Sequence, residues 1–271
     1  HELALRYENV VALEIDRGLI PLLKYTLGEH RNIKVINADV MKTDIPELLG
    51  DAFEKGGVSV CANLPYYITT PIIIDKPDAF IEMRSPVWYR GTGAAITINT
   101  YHVYGNFMIQ NGASGTEYFD APAGSVGLKM LNADENTIEI SSIYGFETGL
   151  QLEGNGDGTC YNNIDLNVIG RCKTGVYMNA EGIGWVNENK FFGGSIWVAT
   201  SDPFKSTCIG FDLKGSDLHF ANANIIFGTC LEGMNKAVQM DHAMRNRFYS
   251  VRTEACTYAL YATASYLNEV T

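Results

Sequence analysis

GLQLEGNGDGTCYNNIDLNVIGRCKTGVYM, residues Gly149 to Met178, holds the pattern that decides the fold. It opens on Gly-Leu-Gln-Leu and closes on Gly-Val-Tyr-Met, two copies of one element: small, apolar, any, apolar. Between them, at Asn162, sits a second element, Asn–any–Ile/Phe. From Asn162 to Gly175 the offset is 13 residues.

Working outward, both elements recur. The first is found at AITI (Ala95–Ile98), GLKM (Gly127–Met130), GFDL (Gly210–Leu213), AVQM (Ala237–Met240) and ALYA (Ala259–Ala262). The second begins at Asn136, Asn162, Asn189, Asn224 and Asn246. From each of these to the next small residue the offset is 13, 13, 21, 13 and 13. An insertion around ATSDPFKSTC (Ala199–Cys208) accounts for the longer one and is expected to protrude near the strand face. A unit of about 22 residues with two or three short strands is the rung of a parallel β-helix. Alternation along each strand turns apolar residues inward. The repeated Asn fits an internal ladder or turn position, where its amide satisfies backbone groups. About seven rungs would stack to roughly 33 Å.

The "any" position then faces outward. Stacked, it forms a column of Lys129, Gln151, Tyr177, Asp212, Gln239 and Tyr261, with Glu153, Asn179, Lys214 and Asp241 beside it. Tyrosines next to acids and amides suit a sugar, with rings to stack on and polar groups to hydrogen-bond. Tyr177, Asp212, Gln239, Tyr261 and Asp241 are therefore the candidate glycan face. Asp212 and Asp241, one rung apart, fall in the range of an acid/base pair, about 5 to 10 Å. A solvated face of mixed polar residues is the plainer reading of the same column.

The first 75 residues read differently. NVVALEID (Asn9–Asp16) is an apolar strand ending in acids, and RGLIPLLKYTLGEH follows with helical spacing at Leu19, Leu22, Leu23 and Leu27. NIKVINAD (Asn32–Asp39) is a second strand, IPELLGDAFEK a short helix, and GVSVCANLPYY a third strand. Strands alternating with helices indicate an α/β parallel arrangement.

The segments VVALEIDRGLIPLL, VINADVMKTDIPEL and ANLPYYITTPII, in this order, resemble the ribosomal RNA adenine N6,N6-dimethyltransferases from Glu2 to Ile74. The resemblance implies S-adenosylmethionine as cofactor and ribosomal RNA as partner. It assigns Glu14 to the cofactor ribose and Asp39 to its adenine. Asn63 and the Leu64 carbonyl would accept from the target amine, Pro65 would stiffen the loop, and Tyr66 would stack on the flipped base. The family's Gly-rich cofactor loop would lie upstream of His1, and its later strands and C-terminal helical domain are not found after Ile74. In the family's sheet a further strand separates the one holding Glu14 from the one leading to Asn63. Without it the fragment is expected to be inactive, and to rearrange or pack against the residues beyond Ile74. Those later residues resemble, in architecture alone, right-handed β-helix proteins such as pectate-lyase-like enzymes and phage tail spikes or fibres. That resemblance supplies the right hand, polysaccharide as a partner, and a homotrimer as one assembly state. It brings no motif for glycan hydrolase or lyase chemistry.

The expectation is a composite chain. Residues 1–75 are an incomplete Rossmann-like methyltransferase fragment, and residues 76–271 a parallel β-helix, with DKPD (Asp75–Asp78) as the junction. Lys/Arg number 7 against 11 Asp/Glu in the first part and 13 against 20 in the second, for a net charge of −11. Neither part has the basic excess that phosphate backbones favour. The six cysteines show no CxxC and no zinc spacing, and no metal is expected. The five histidines are scattered, and GNGDG (Gly154–Gly158) reads as a turn. No apolar run is long enough to cross a bilayer. The chain starts at His1 without an initiator Met or a signal peptide, so its compartment is not legible. By resemblance the first part is cytoplasmic and the second belongs to a virion or cell surface.

Overall fold

The computed structural model describes residues 1–54, 58–60, 71–113 and 116–271. The chain contacts divide into two compact units, His1–Lys55 and Gly56–Thr271. The expected junction near residue 75 thus lies within the second unit.

The second unit is a parallel β-solenoid. Its eight-stranded sheet runs, in space and in sequence, through Ile72–Ile74, Gly93–Ile98, Ser125–Leu131, Thr148–Glu153, Thr174–Asn179, Ile209–Lys214, Lys236–Asp241 and Tyr258–Thr263. Seven of these carry the small–apolar–any–apolar element, all in register. Ile96 pairs with Leu128, then Leu150, Val176, Phe211, Val238 and Leu260 continue the line. The eighth strand, Ile72–Ile74, comes from the methyltransferase-like sequence and pairs with Ile96–Ile98. Ile72, Ile74, Ile81 and Met83 pack on the end of the solenoid core. Covering that end removes apolar surface from water, which an exposed terminal rung would leave bare.

The small position has a steric cause. A Cβ on Gly127, Gly149 or Gly175 would meet Ile143, Ile169 or Ile196 of the facing sheet at 2.5, 2.6 or 2.4 Å. At these three places inside the strand there is no room for a side chain, whereas Ala95, Ala237 and Ala259 carry a methyl group at the same position of their rungs. The facing fifteen-stranded sheet contains long strands, Tyr104–Ala113 and Thr137–Tyr144, that later rungs break in two, as at Asn163–Leu166 and Val168–Gly170. A four-stranded sheet, Gly158–Cys160 to Ala243–Met244, closes the third side. GNGDG joins Thr148–Glu153 to Gly158–Cys160.

The repeated asparagines form a buried ladder. Asn136, Asn162, Asn189, Asn224 and Asn246 are fully buried. Each Nδ2 donates to the Oδ1 of the next, at 2.8 to 3.1 Å, ending on Asn268. The same nitrogens also reach back to carbonyls one rung behind, such as Asn162 to Ala133 at 2.7 Å. The residue before each Asn takes a left-handed turn, with φ between 55° and 58° at Glu135, Tyr161, Glu188, Ala223, Arg245 and Leu267. Such a turn leaves backbone groups pointing inward, and the amides pair them.

The insertion does not protrude as expected. Ala199–Cys208 folds back, with Asp202, Phe204 and Cys208 buried. The Arg171 guanidinium reaches Asp202 at 2.5 Å, and Lys205 Nζ reaches the Gly233 carbonyl at 2.9 Å. Phe204 has apolar surface to bury and Asp202 has a cation waiting for it, so packing wins over solvation.

In the first unit, Val10–Glu14 and Ile33–Asn37 pair in parallel, and the expected helix forms at Ile20–Leu27. Among its described residues none is buried, and Leu5, Ile15, Leu22 and Tyr25 are largely exposed. Two strands and short helices supply no second layer for a core. The third expected strand is not part of this sheet. Ser59–Val60 pairs instead with Phe80–Ile81 in the solenoid.

Candidate functional site

The outward column of the eight-stranded sheet is real in register. Lys129, Gln151, Tyr177, Asp212, Gln239 and Tyr261 are successive neighbours, and Glu153, Asn179, Lys214, Asp241 and Thr263 run beside them. Asp212 lies at its centre, only 5% exposed. Gln239 Nε2 donates to its Oδ1 at 2.9 Å, and Lys214 stands 4.0 Å away. Burial raises the Asp212 pKa, and the nearby lysines and the Gln239 bond only partly offset it.

Two rings flank this centre. Lys214 Nζ sits 5.7 Å from the Tyr177 ring centroid, and Lys236 Nζ sits 4.0 Å from that of Tyr261. Lys236 also bonds the Gln239 oxygen, so one cation ties ring, amide and carboxylate together. Burial, with Glu181 nearby, raises the Tyr177 hydroxyl pKa, and that hydroxyl donates to Glu181 at 3.1 Å. Asp241 accepts from Thr263 at 2.8 Å and contacts His242 at 3.0 Å, and His242 also meets Asp217 at 3.1 Å. One strand spacing and two residues of rise separate Asp212 from Asp241, about 8 Å between backbones. The expected five residues are thus brought to one face. Lys236, Glu181, Tyr258 and Thr263 join them and were not singled out from sequence. Lys236 and Tyr258 share the position just before the small residue, a second register that the repeat contains.

The residues expected to hold a nucleoside cofactor are dispersed differently. Glu14 ends its strand and accepts from the Asp16 backbone N–H at 2.8 Å, closing its own turn. Asp39 comes after Ile33–Asn37 and lies 3.8 Å from Lys42. Both belong to the first unit. Asn63, Leu64, Pro65 and Tyr66 lie outside the described residues, but the strand leading to them, Ser59–Val60, pairs within the second unit. The fragment's strand order in this chain is therefore not that of one shared sheet.

Residues 1–83 match the family model of ribosomal RNA adenine dimethylase. The dimethylase-like segment is 51% identical over 85 residues to ribosomal RNA small subunit methyltransferase A of Alkaliphilus metalliredigens, covering 31% of this chain and 28% of that one. It is 52% identical over 80 residues to the protein of the same name in Clostridioides difficile, 30% and 26% of the two chains. With the Bacillus mycoides protein it shares 53% over 87 residues, 32% and 28%. The chain thus spans little more than a quarter of the length of these relatives. No solved structure matches it significantly. The chain is composite: a dimethylase-like segment followed by a β-solenoid. The match to residue 83 runs past Ile74, so Ile72–Ile74 and Phe80–Glu82 are dimethylase-like in sequence and solenoid strands in structure.

Among the described residues no cluster of His, Cys, Asp and Glu is arranged to hold a metal ion. His102 is held between Asp78 at 3.3 Å and Glu135 at 2.9 Å, a satisfied surface histidine. Cys160, Cys172 and Cys208 are buried free thiols, and burial pushes the first two up to about 11 and about 12. Such thiols are poor nucleophiles at neutral pH. Cys61 lies outside the described residues.

Proposed function

We propose that the solenoid is the working part of this chain, that the dimethylase-like segment transfers no methyl group here, and that the face from Tyr177 to Tyr261 binds polysaccharide. One observation carries the first half: Ser59–Val60, the strand before Asn-Leu-Pro-Tyr, pairs with Phe80–Ile81 rather than joining the strands that end at Glu14 and Asn37. The resemblance implies S-adenosylmethionine and an RNA adenine, and their site needs Glu14, Asp39 and Asn63 converging at the strand ends of one sheet. In this chain the first two and the strand leading to the third are built into different units. Calorimetric titration of the full chain with S-adenosylmethionine is expected to show no binding, and labelled methyl groups should not pass to small-subunit RNA. Micromolar binding would sink this half.

The second half rests on the ring–carboxylate–amide–ring series Tyr177, Asp212, Gln239, Tyr261. A sugar ring has an apolar face for an aromatic ring and a rim of hydroxyls for the groups between. Tyr177→Ala and Tyr261→Ala are expected each to weaken glycan binding about tenfold, with unchanged melting temperature. Equal affinity in all three proteins would remove the face from consideration.

A further inference from the structure

A second cleft lies on the fifteen-stranded sheet, away from that face. Along this sheet Trp88, Gln110, Tyr144, Gly170, Trp197 and Glu232 are successive neighbours. Gly170 opens a gap in the row. A Cβ there would lie 2.2 Å from the Tyr144 ring and 3.0 Å from that of Trp197. With nothing between them, the two rings meet edge to face, 6.1 Å apart at 70°. Both are half-buried. Arg171, in a left-handed turn at φ 54°, lays its guanidinium 3.6 Å from the Phe119 ring centroid. Asp202, from the folded-back insertion, holds that guanidinium by Nε and Nη2 at 2.8 and 2.5 Å. Glu117, Phe119, Tyr144, Arg171 and Trp197 together line a cavity of about 360 Å³.

We propose that this cleft is a second saccharide site, binding a neutral hexopyranose unit of a glycan chain against Tyr144 and Trp197. Its volume falls near the lower end of small-molecule sites, about 300–1,000 Å³. The chemistry selects among ligands. A purely apolar ligand would strip water from Arg171 and Glu117 without replacing it. A cationic ligand would meet a guanidinium already on the Phe119 face. A nucleic acid would bring phosphates to a chain of net charge −11, with Glu117 at the cleft. A pyranose offers a C–H face for the two rings and hydroxyls for both charged groups. Asp202 takes two guanidinium donors and leaves Nη1 without a partner among the described residues, free to bond a hydroxyl.

The site lies on a different sheet from the Tyr177–Tyr261 face and does not rest on it. The test titrates the full chain with neutral hexasaccharides of β-1,4-glucose, α-1,4-glucose, β-1,4-galactose and β-1,4-N-acetylglucosamine, read by tryptophan fluorescence and calorimetry. At least one is expected to bind. Trp197→Ala and Gly170→Ala should each weaken it about tenfold or more. Glu117→Gln, at an exposed residue that leaves the fold alone, should weaken it several-fold. Tyr261→Ala should leave this site unchanged. Binding lost in Tyr177→Ala and Tyr261→Ala but intact in Trp197→Ala and Glu117→Gln would overturn this proposal and keep the strand face. The reverse would keep the cleft and remove the face. No binding by any of the four sugars would overturn both.

Discussion

Asn162 and Asn163 are adjacent and identical in type, yet the fold treats them oppositely. Asn162 is fully buried and makes four ladder bonds: its amide nitrogen reaches Ala133 and Asn189, and its oxygen accepts twice from Asn136. Asn163 is exposed. Asn162→Ala is expected to lower stability by about 3 kcal/mol, because it leaves buried donors and acceptors unpaired. Asn163→Ala should change it by less than about 0.5 kcal/mol. Urea denaturation of the two variants checks this, and equal effects would mean the ladder adds little. Asp212 carries a second prediction. Its pKa is raised in the folded state, so the folded chain binds its proton more tightly than the unfolded chain. Its contribution to stability is full below the unfolded value, near ~3.9, and is lost as pH rises through the raised folded value. Asp212→Asn keeps an oxygen for Gln239 and removes the buried charge. The variant should be the more stable protein at pH 8, with the difference shrinking toward pH 4. Parallel stability profiles would contradict this assignment.

At the scale of elements, the insertion shows what repeat offsets reveal and what they hide. The 21-residue spacing after Asn189 marked where extra chain enters. It did not show that this chain folds back, because that depends on Arg171, a rung away in sequence. Asp202 is completely buried at its side chain, while Arg171 keeps some exposure. Asp202→Ala is therefore expected to cost about 2–3 kcal/mol, below the loss for a fully buried pair. It should also free the guanidinium from its place over Phe119. Thermal melting reads the first effect, and an unchanged melting temperature would show the insertion to be loosely held. The strand element itself was legible in full: small, apolar, outward, apolar, in register over seven strands. The steric reason for its first position was not, since Ile143, Ile169 and Ile196 reach it from another sheet.

At the scale of the molecule, a dimethylase-like sequence is divided between two structures. Residues before Lys55 form a small unit in which no described residue is buried, while Ile72, Ile74, Ile81 and Met83 pack on the solenoid core. Removing residues 1–54 is expected to leave the melting temperature of the solenoid unchanged within a few degrees. Removing residues 1–83 bares Ile96 and Ile98, both fully buried now, and should lower it clearly. Circular dichroism melts of the two truncations separate these outcomes, and equal losses would mean the first unit supports the second.

The sequence by itself determined the rung. Period-2 alternation, a small residue near the start of each strand and an Asn at a mostly constant offset are local rules, and local rules survive in a one-dimensional pattern. It also showed residues 2–74 to be dimethylase-like, because motif order is a property of the chain alone, and the family match extends that to residue 83. Only the tertiary structure decided where Ser59–Val60 and Ile72–Ile74 pair, since a strand joins whichever edge offers unpaired backbone and apolar cover. The same holds for the cleft at Gly170. Tyr144, Gly170 and Trp197 lie on three successive rungs, 26 and 27 residues apart in sequence. Stacking alone makes them neighbours.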